Sequence, residues 1–262
     1  MKDVNEKYIK KISILGCGWL GFPLAISLME QGLSVSGSIR KSEKKALLKS
    51  KKINPFIIDI DQEELIDSGF FNAEILIIAI PSKSTKGFQN LIAQIERSSV
   101  KKVIFISATS VYPSSDILII EEHKKLDTPL ASIEKLFFSN TNFDTTILRF
   151  GGLFGANRNP GNFFKDGRII KNPEGVVNMI HQDDCIGIIL KIIEQGVSNI
   201  VFNACADTHP TRRVFYTKMK TELGFEVPVF EENQPIEMKK ISSEKLKSML
   251  NYSFKYNDLL AI

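Results

Sequence analysis

Gly16-Cys17-Gly18-Trp19-Leu20-Gly21 follows directly on the apolar run Lys11-Ile12-Ser13-Ile14-Leu15 and leads into a helical pattern. In a G-x-G-x-x-G turn each glycine has a separate task. Gly16 makes the tight turn, Gly18 lets a pyrophosphate approach the backbone, and Gly21 lets the helix pack against the strand. The unpaired N–H groups at the helix start then face the phosphates. A strand before the loop and a helix after it are the context that separates a dinucleotide site from a glycine turn kept for packing. About 20 residues further on, a chain selecting NAD would carry an acid on the ribose hydroxyls. Here the stretch is Gly37-Ser38-Ile39-Arg40-Lys41-Ser42, with no acid. Arg40 and Lys41 can pair with a 2′-phosphate, so NADP(H) is expected in preference to NAD(H); the alternative is that both only begin a solvated helix. Asp59 ends a later strand and is a candidate for the adenine edge, or a plain strand-end acid. Trp19 and Leu20 in the loop, Ala79 and Pro81 after the fourth strand, and Gly151 after the sixth complete the expected cofactor residues.

These residues need a scaffold of strands alternating with helices. Strand patterns fall at Lys11–Leu15, Leu33–Ser38, Pro55–Asp59, Ile75–Ala79, Lys102–Ser107, Thr145–Arg149 and Ile200–Ala204. Helical patterns fall at Gly21–Gln31, Ser42–Ser50, Gly87–Ser98, Ala131–Asn140, Asp183–Gln195 and Arg212–Leu223. The alternation predicts an α/β fold, a doubly wound parallel sheet of Rossmann type, with a small C-terminal substrate lobe. The whole chain, 1–262, is read as a single domain: a core of about 10–150 plus 176–205, and a lobe of about 151–175 plus 206–262. The segment 151–175, rich in Gly, Asn and Pro, reads as a long irregular excursion of the kind that binds ligands in such folds.

Composition narrows the field. A chain of 262 residues, 43% hydrophobic and 24% charged, buries a sizeable core and is not disordered. The longest apolar run, Ile75 to Ile80, is about a third of a bilayer span. The opening MKDVNEKYIK has no apolar run, so no secretory signal is expected. Cys17, Cys185 and Cys205 are few and far apart, which fits a reducing, cytoplasmic setting without disulfides or a zinc site. A net charge of +4 spread along the chain does not call for nucleic acid.

Two family resemblances compete. Gly16–Ala25 with Arg40-Lys41-Ser42 resembles the β-hydroxyacid dehydrogenases, but these need a catalytic lysine in a helical second domain, and Gly175–Ala204 offers no convincing one. The remainder is similar to the extended short-chain dehydrogenase/reductases: Ile104–Pro113 to their strand and Ser/Thr-rich turn, and Ile147–Gly155 to their LRxxGIYGP segment. Asn178–Asp184 resembles their NxIHVDD segment, and Val201–Ala204 their late strand. Nearly the whole chain is covered in order, and the likeness is greatest to the atypical NAD-dependent epimerase/dehydratase branch, the YeeZ-like proteins. The resemblance implies a pairing of two copies through helices on one sheet face.

The resemblance also implies a catalytic Tyr, a Lys four residues on that lowers its pKa, and a Ser or Thr on the same substrate oxygen. Leu126–Lys135, where the Tyr and Lys belong, has no tyrosine, and none occurs between Tyr112 and Tyr216. The hydroxyl position is Ala108, flanked by Ser107 and Thr109. Tyr216 and Lys220 have the right spacing but fall in the expected lobe. Tyr112 is therefore a candidate acid, or a packed aromatic with a satisfied hydroxyl. Ser107 or Thr109 would polarise the oxygen. His181 is a proton carrier by type and a structural hydrogen-bonded residue by context; Arg158, Asn178 and Arg212 are candidates for substrate, the arginines for an anionic group. Two functions are expected from this: an NADP-dependent oxidoreductase, epimerase or dehydratase acting on a small hydroxyl- or carbonyl-bearing substrate such as a sugar nucleotide, or a non-catalytic NADP(H) sensor or scaffold.

Overall fold

The structure is a computed structural model and describes residues 10–62, 66–164 and 168–262. The first nine residues of the opening segment, and 165–167 within the 151–175 excursion, lie outside the described residues.

In chain order the elements are β1 (Lys11–Leu15), α1 (Gly21–Glu30), β2 (Ser34–Ile39), α2 (Lys45–Ser50), β3 (Asn54–Ile57), β4 (Ile75–Ile78), α3 (Thr85–Ile95), β5 (Lys102–Ala108), β6 (Ser115–Ile119) and α4 (Pro129–Phe138). They continue with β7 (Asp144–Phe150), β8 (Gly152–Phe154), β9 (Met179–His181), α5 (Gln182–Gln195), β10 (Ile200–Ala204), α6 (Arg212–Glu222), β11 (Lys239–Ile241) and α7 (Glu244–Leu250). Seven strands form one sheet in the order β10-β7-β5-β4-β1-β2-β3. β1 pairs in parallel with β2 and β4, β2 with β3, and β4 with β5. The chain runs outward from β1 to β3, then returns to the other side of β1 as β4. That reversal opens a crevice at the strand C-termini, where folds of this kind bind ligands. This is the doubly wound α/β sheet of the Rossmann type.

Two compact units can be distinguished. The first takes in the chain to Ile106 with Ser132–Ile147 and Ser198–Ile200. Its central strand β4 is apolar because both sheet faces are covered there: all four of its residues, Ile-Leu-Ile-Ile, are buried. Phe88 from α3, Phe105 from β5 and Phe137 from α4 pack edge-on and stacked, with centroids 5.1 to 5.8 Å apart. α3 starts where Ser84 Oγ accepts the Gly87 N–H at 3.0 Å, a side-chain N-cap.

The second unit comprises Ser107–Ala131, Leu148–Val197 and Val201–Ile262. It contains two small parallel pairs, β6 with β11 and β8 with β9. One apolar cluster joins Phe154, Met179, Phe215, Met219 and Leu259. α5 begins at His181, whose Nδ1 accepts the Asp183 N–H at 3.1 Å, and ends at Gly196 in the left-handed region. Of this unit's elements, β6, β8, β9, β11 and α7 have no counterpart in the sequence expectation.

Among the described residues no helix is long and apolar enough to cross a membrane. Phe137 is fully buried and its neighbour Phe138 is 46% exposed, so the pair tests the core. Phe137→Ala should cost about 3–5 kcal/mol in urea unfolding, and Phe138→Ala under about 0.5 kcal/mol.

Candidate functional site

The cleft belongs to the first unit. At the end of β1 Gly16 has φ +102°, and a Cβ there would stand 2.7 Å from the Ala79 carbonyl oxygen, so only glycine fits. The turn is held by the end of β2: Gly16 N–H donates to Ser38 Oγ at 2.8 Å and Cys17 N–H to the Ser38 carbonyl at 2.7 Å. The Cys17 side chain turns inward, where a Cβ on Gly37 would lie 2.4 Å from its sulfur. Burial pushes the Cys17 thiol up to about 12, so it is neither nucleophile nor metal ligand at neutral pH. A Cβ on Gly21 would meet the Gly16 carbonyl at 2.1 Å, so α1 is drawn tight against the turn. Gly18 is the opposite case: a Cβ there meets nothing within 4 Å. The backbone at Gly18 therefore borders open space that a side chain would fill. α1 starts with no side-chain cap and no acid in its first turn, which suits an anion.

The cleft encloses ≈ 430 Å³. Of the residues expected from sequence, Gly16, Gly18, Arg40, Lys41, Asp59, Ala79 and Pro81 line it. Trp19, Leu20 and Gly21 do not; Leu20 and Gly21 are buried at the start of α1. Lys44, Asp61 and Ser82 line it without having been expected. Lys44 follows Arg40 by four residues across a 3-10 turn, so the basic run of residues 40–45 was the signal. Asp61 accepts from Ser82 Oγ at 2.6 Å, and Asp59 Oδ1 accepts the Asp61 N–H at 3.2 Å. The cleft thus has a three-cation side at the end of β2 and a two-carboxylate side after β3. Glycine loop, uncapped helix start and cation trio together fit a phosphate-rich dinucleotide. Among the described residues no group of His, Cys, Asp and Glu could hold a metal ion.

In the second unit Ser107 is the penultimate residue of β5 and Thr109 opens the turn after it; both are buried. Tyr112 is fully buried, which corrects the expectation of an acid in contact with substrate. Its hydroxyl donates to Asn203 Oδ1 at 2.9 Å and accepts from Arg149 Nη1, and the Arg149 guanidinium lies 5.0 Å from the ring centre. Arg149 also donates to the Glu121 carbonyl at 3.0 Å, and Glu121 Oε1 accepts the Asn203 N–H at 2.7 Å. Burial pushes the Tyr112 phenol up to about 12, against the pull of Arg149, so at neutral pH it stays protonated and packed.

The other candidates are dispersed through this unit. His181 caps α5 and stacks on Tyr256 with centroids 3.6 Å apart; burial lowers its pKa, keeping it neutral. Asn178 donates to the Lys239 carbonyl at 2.7 Å and accepts the Ile241 N–H at 3.0 Å, tying down β11. Gly151 packs so close to the Asn178 carbonyl that a Cβ would stand 2.7 Å from it. Arg158 lies over the Phe163 ring at 5.5 Å. Arg212 donates to the Lys171 carbonyl at 3.2 Å. Tyr216 packs on Phe164 and Phe215, while Lys220 lies over Phe225 at 5.5 Å. His209 is partly buried beside the Val177 carbonyl.

A family model described as NAD(P)H-binding matches residues 17–223. Protein YeeZ of Escherichia coli (strain K12) is 29% identical over 272 residues, spanning 97% of this chain and 99% of that protein. A functionally unknown conserved protein from Silicibacter pomeroyi DSS superposes with a TM-score of 0.80 at 18% identity over 96% of both chains. UDP-glucuronic acid 4-epimerase from Bacillus cereus, in complex with UDP-glucuronic acid and NAD, superposes with a TM-score of 0.77 at 18% identity over 96% of both chains. At these identities the structural likenesses establish the fold.

Tyr112→Phe removes a hydroxyl that two buried groups use and should cost about 1–3 kcal/mol at neutral pH. A phenol whose pKa is raised on folding contributes stability that is whole below its unfolded value and lost as pH rises through the folded one. The stability gap between wild type and Tyr112→Phe should therefore narrow as pH rises from 10 to 12. Urea titrations across that range check it.

Proposed function

The chain belongs to the NAD(P)H-binding family, and on that footing we propose that it is an NADP(H)-dependent enzyme of the short-chain dehydrogenase/reductase type acting on a small hydroxyl- or carbonyl-bearing substrate. The observation that carries the NADP(H) preference is the cation trio: Arg40, Lys41 and Lys44 line the cleft at the end of β2, where an acid would serve NAD. The Gly16–Gly21 turn and the start of α1 would hold the pyrophosphate. Arg40, Lys41 and Lys44 would take the 2′-phosphate, Arg40 in bidentate fashion. Asp59 would meet the adenine edge. Bound there, the cofactor supplies hydride chemistry.

For the proton the proposed enzyme differs from its family's usual form. Leu126–Lys135 carries no tyrosine, and Tyr112 is sealed and protonated. We assign proton handling to a bound water and the polarising of the substrate oxygen to Ser107 or Thr109. The epimerase from Bacillus cereus carries UDP-glucuronic acid, which supports including nucleotide sugars among the compounds screened for turnover.

Calorimetric titration with NADPH, NADP, NADH and NAD in parallel tests the cofactor assignment. The phosphorylated pair should bind more tightly, and equal affinities for all four would overturn the preference. Gly18→Val has room to fold and should abolish binding, because its side chain occupies the space beside the turn. Arg40→Asp should weaken NADPH by about 10- to 100-fold, the worth of a charge-assisted contact, and leave NADH nearly unchanged.

A further inference from the structure

In the second unit, the loop 171–178 supports two elements at once. On one side it accepts from the start of α6: Arg212 N–H donates to the Gly175 carbonyl at 2.8 Å and Arg213 N–H to the Pro173 carbonyl at 2.9 Å. On the other it holds the approach to β11, with Asn172 Nδ2 on the Glu237 carbonyl and Asn178 Nδ2 on the Lys239 carbonyl, both at 2.7 Å. The loop thereby carries the start of α6, with Arg212, and the start of β11, with Lys239, on its two sides.

The cations gathered there are compensated unequally. Arg213 takes two carboxylates, Glu174 at 2.7 Å and Glu232 at 2.8 Å. Arg212 donates to the Lys171 carbonyl, and the Lys239 amine to the Tyr112 carbonyl. Among the described residues neither has a carboxylate within 4.0 Å. Glu237 acts on Lys239 only from beyond ion-pair range and accepts from Ser114 Oγ at 3.4 Å. Lys239 is half-buried, and its pKa is lowered first by that burial and then by Arg212. An ammonium partly removed from water needs partners for three N–H bonds, and a single carbonyl answers one. An anion close to both cations would answer the rest and offset their mutual repulsion.

We propose that Arg212 and Lys239 form an oxyanion subsite in the second unit, and that the substrate carries a phosphate or carboxylate bound there. As the anchor of a substrate this rests on the enzymatic reading above; as an anion site it rests on the second unit alone.

The test is calorimetric titration of the full chain at constant ionic strength, with NADPH saturating so that the phosphate places of the glycine loop are filled. Inorganic phosphate and malonate are the two probes, and the tighter of them names the group. Arg212→Gln and Lys239→Met should each weaken that probe by about 10-fold or more, with NADPH affinity unchanged. Lys239→Arg keeps the charge and should retain binding. If Lys239→Met does not fold, Arg212→Gln, at the solvent-facing first turn of α6, carries the test. Binding of neither probe, or variants that bind as wild type does, would overturn the subsite. If wild type fails to bind NADPH, the cofactor assignment falls, and the same titration without it still decides whether an anion depends on Arg212 and Lys239.

Discussion

α1 lies so near the end of β1 that the Gly16 carbonyl and the Gly21 Cα leave no space for a methyl group between them; an added Cβ would sit 2.1 Å from that oxygen. The close approach sets the line along which α1 leaves the sheet and so where its first N–H groups point. Ser38 fixes the turn from the other side through its hydroxyl and carbonyl. With the turn fixed against β2, Arg40 and Lys41, two and three residues beyond Ser38, come out at the rim of the same cleft. The glycine turn and the cation trio are thus parts of one construction. Its dimensions are set by backbone contacts and do not depend on the surface side chains.

The second unit is organised by a different kind of constraint. Arg149 is buried, and a guanidinium in such a place must have its donors answered. The Tyr112 hydroxyl and the Glu121 carbonyl answer two of them, and Asn203 and the Glu121 carboxylate close the network. Among the described residues Asn203 Nδ2 is buried without a partner. Satisfied polar groups in a core fix which side chains lie side by side, at the cost of removing a charge from water. The tyrosine that resembles a reactive group in sequence is therefore part of what holds β7, β10 and the turn after β5 together within this unit.

The sequence made the sheet legible because its signal is local. Seven apolar, β-branched runs fall within one or two residues of the strands β1 to β5, β7 and β10, and six helical patterns fall within three residues of α1 to α6. β8 and β9, which pair with each other, and β11, which pairs with β6, are only three residues long, too short for a periodic pattern to emerge. β6 leaves Ile117 and Leu118 exposed on opposite faces, so it reads as neither a buried run nor an alternating one. The glycine loop was legible for the reason the sheet was: Gly16 and Gly21 answer contacts within one βα turn or a neighbouring strand, and Gly18 leaves open space in the same turn. The fate of Tyr112 was not. Its hydroxyl partners lie 37 and 91 residues away, and no spacing rule links Tyr112 to Arg149 or Asn203. Lys239, 127 residues beyond Tyr112, is hidden from sequence in the same way.

Cys17 sits within the glycine turn, yet its sulfur faces Gly37 and its thiol is held in the protonated form. Alkylation and oxidation both require a thiolate that reagents can reach. The Cys17 thiol is therefore shielded from oxidants while the turn stays folded, in a family that binds a redox cofactor. Cys185 and Cys205 are buried too. Each thiol becomes reactive only when its own surroundings open, so the rate at which a thiol reagent consumes Cys17 would serve as a clock for the breathing of the βα turn.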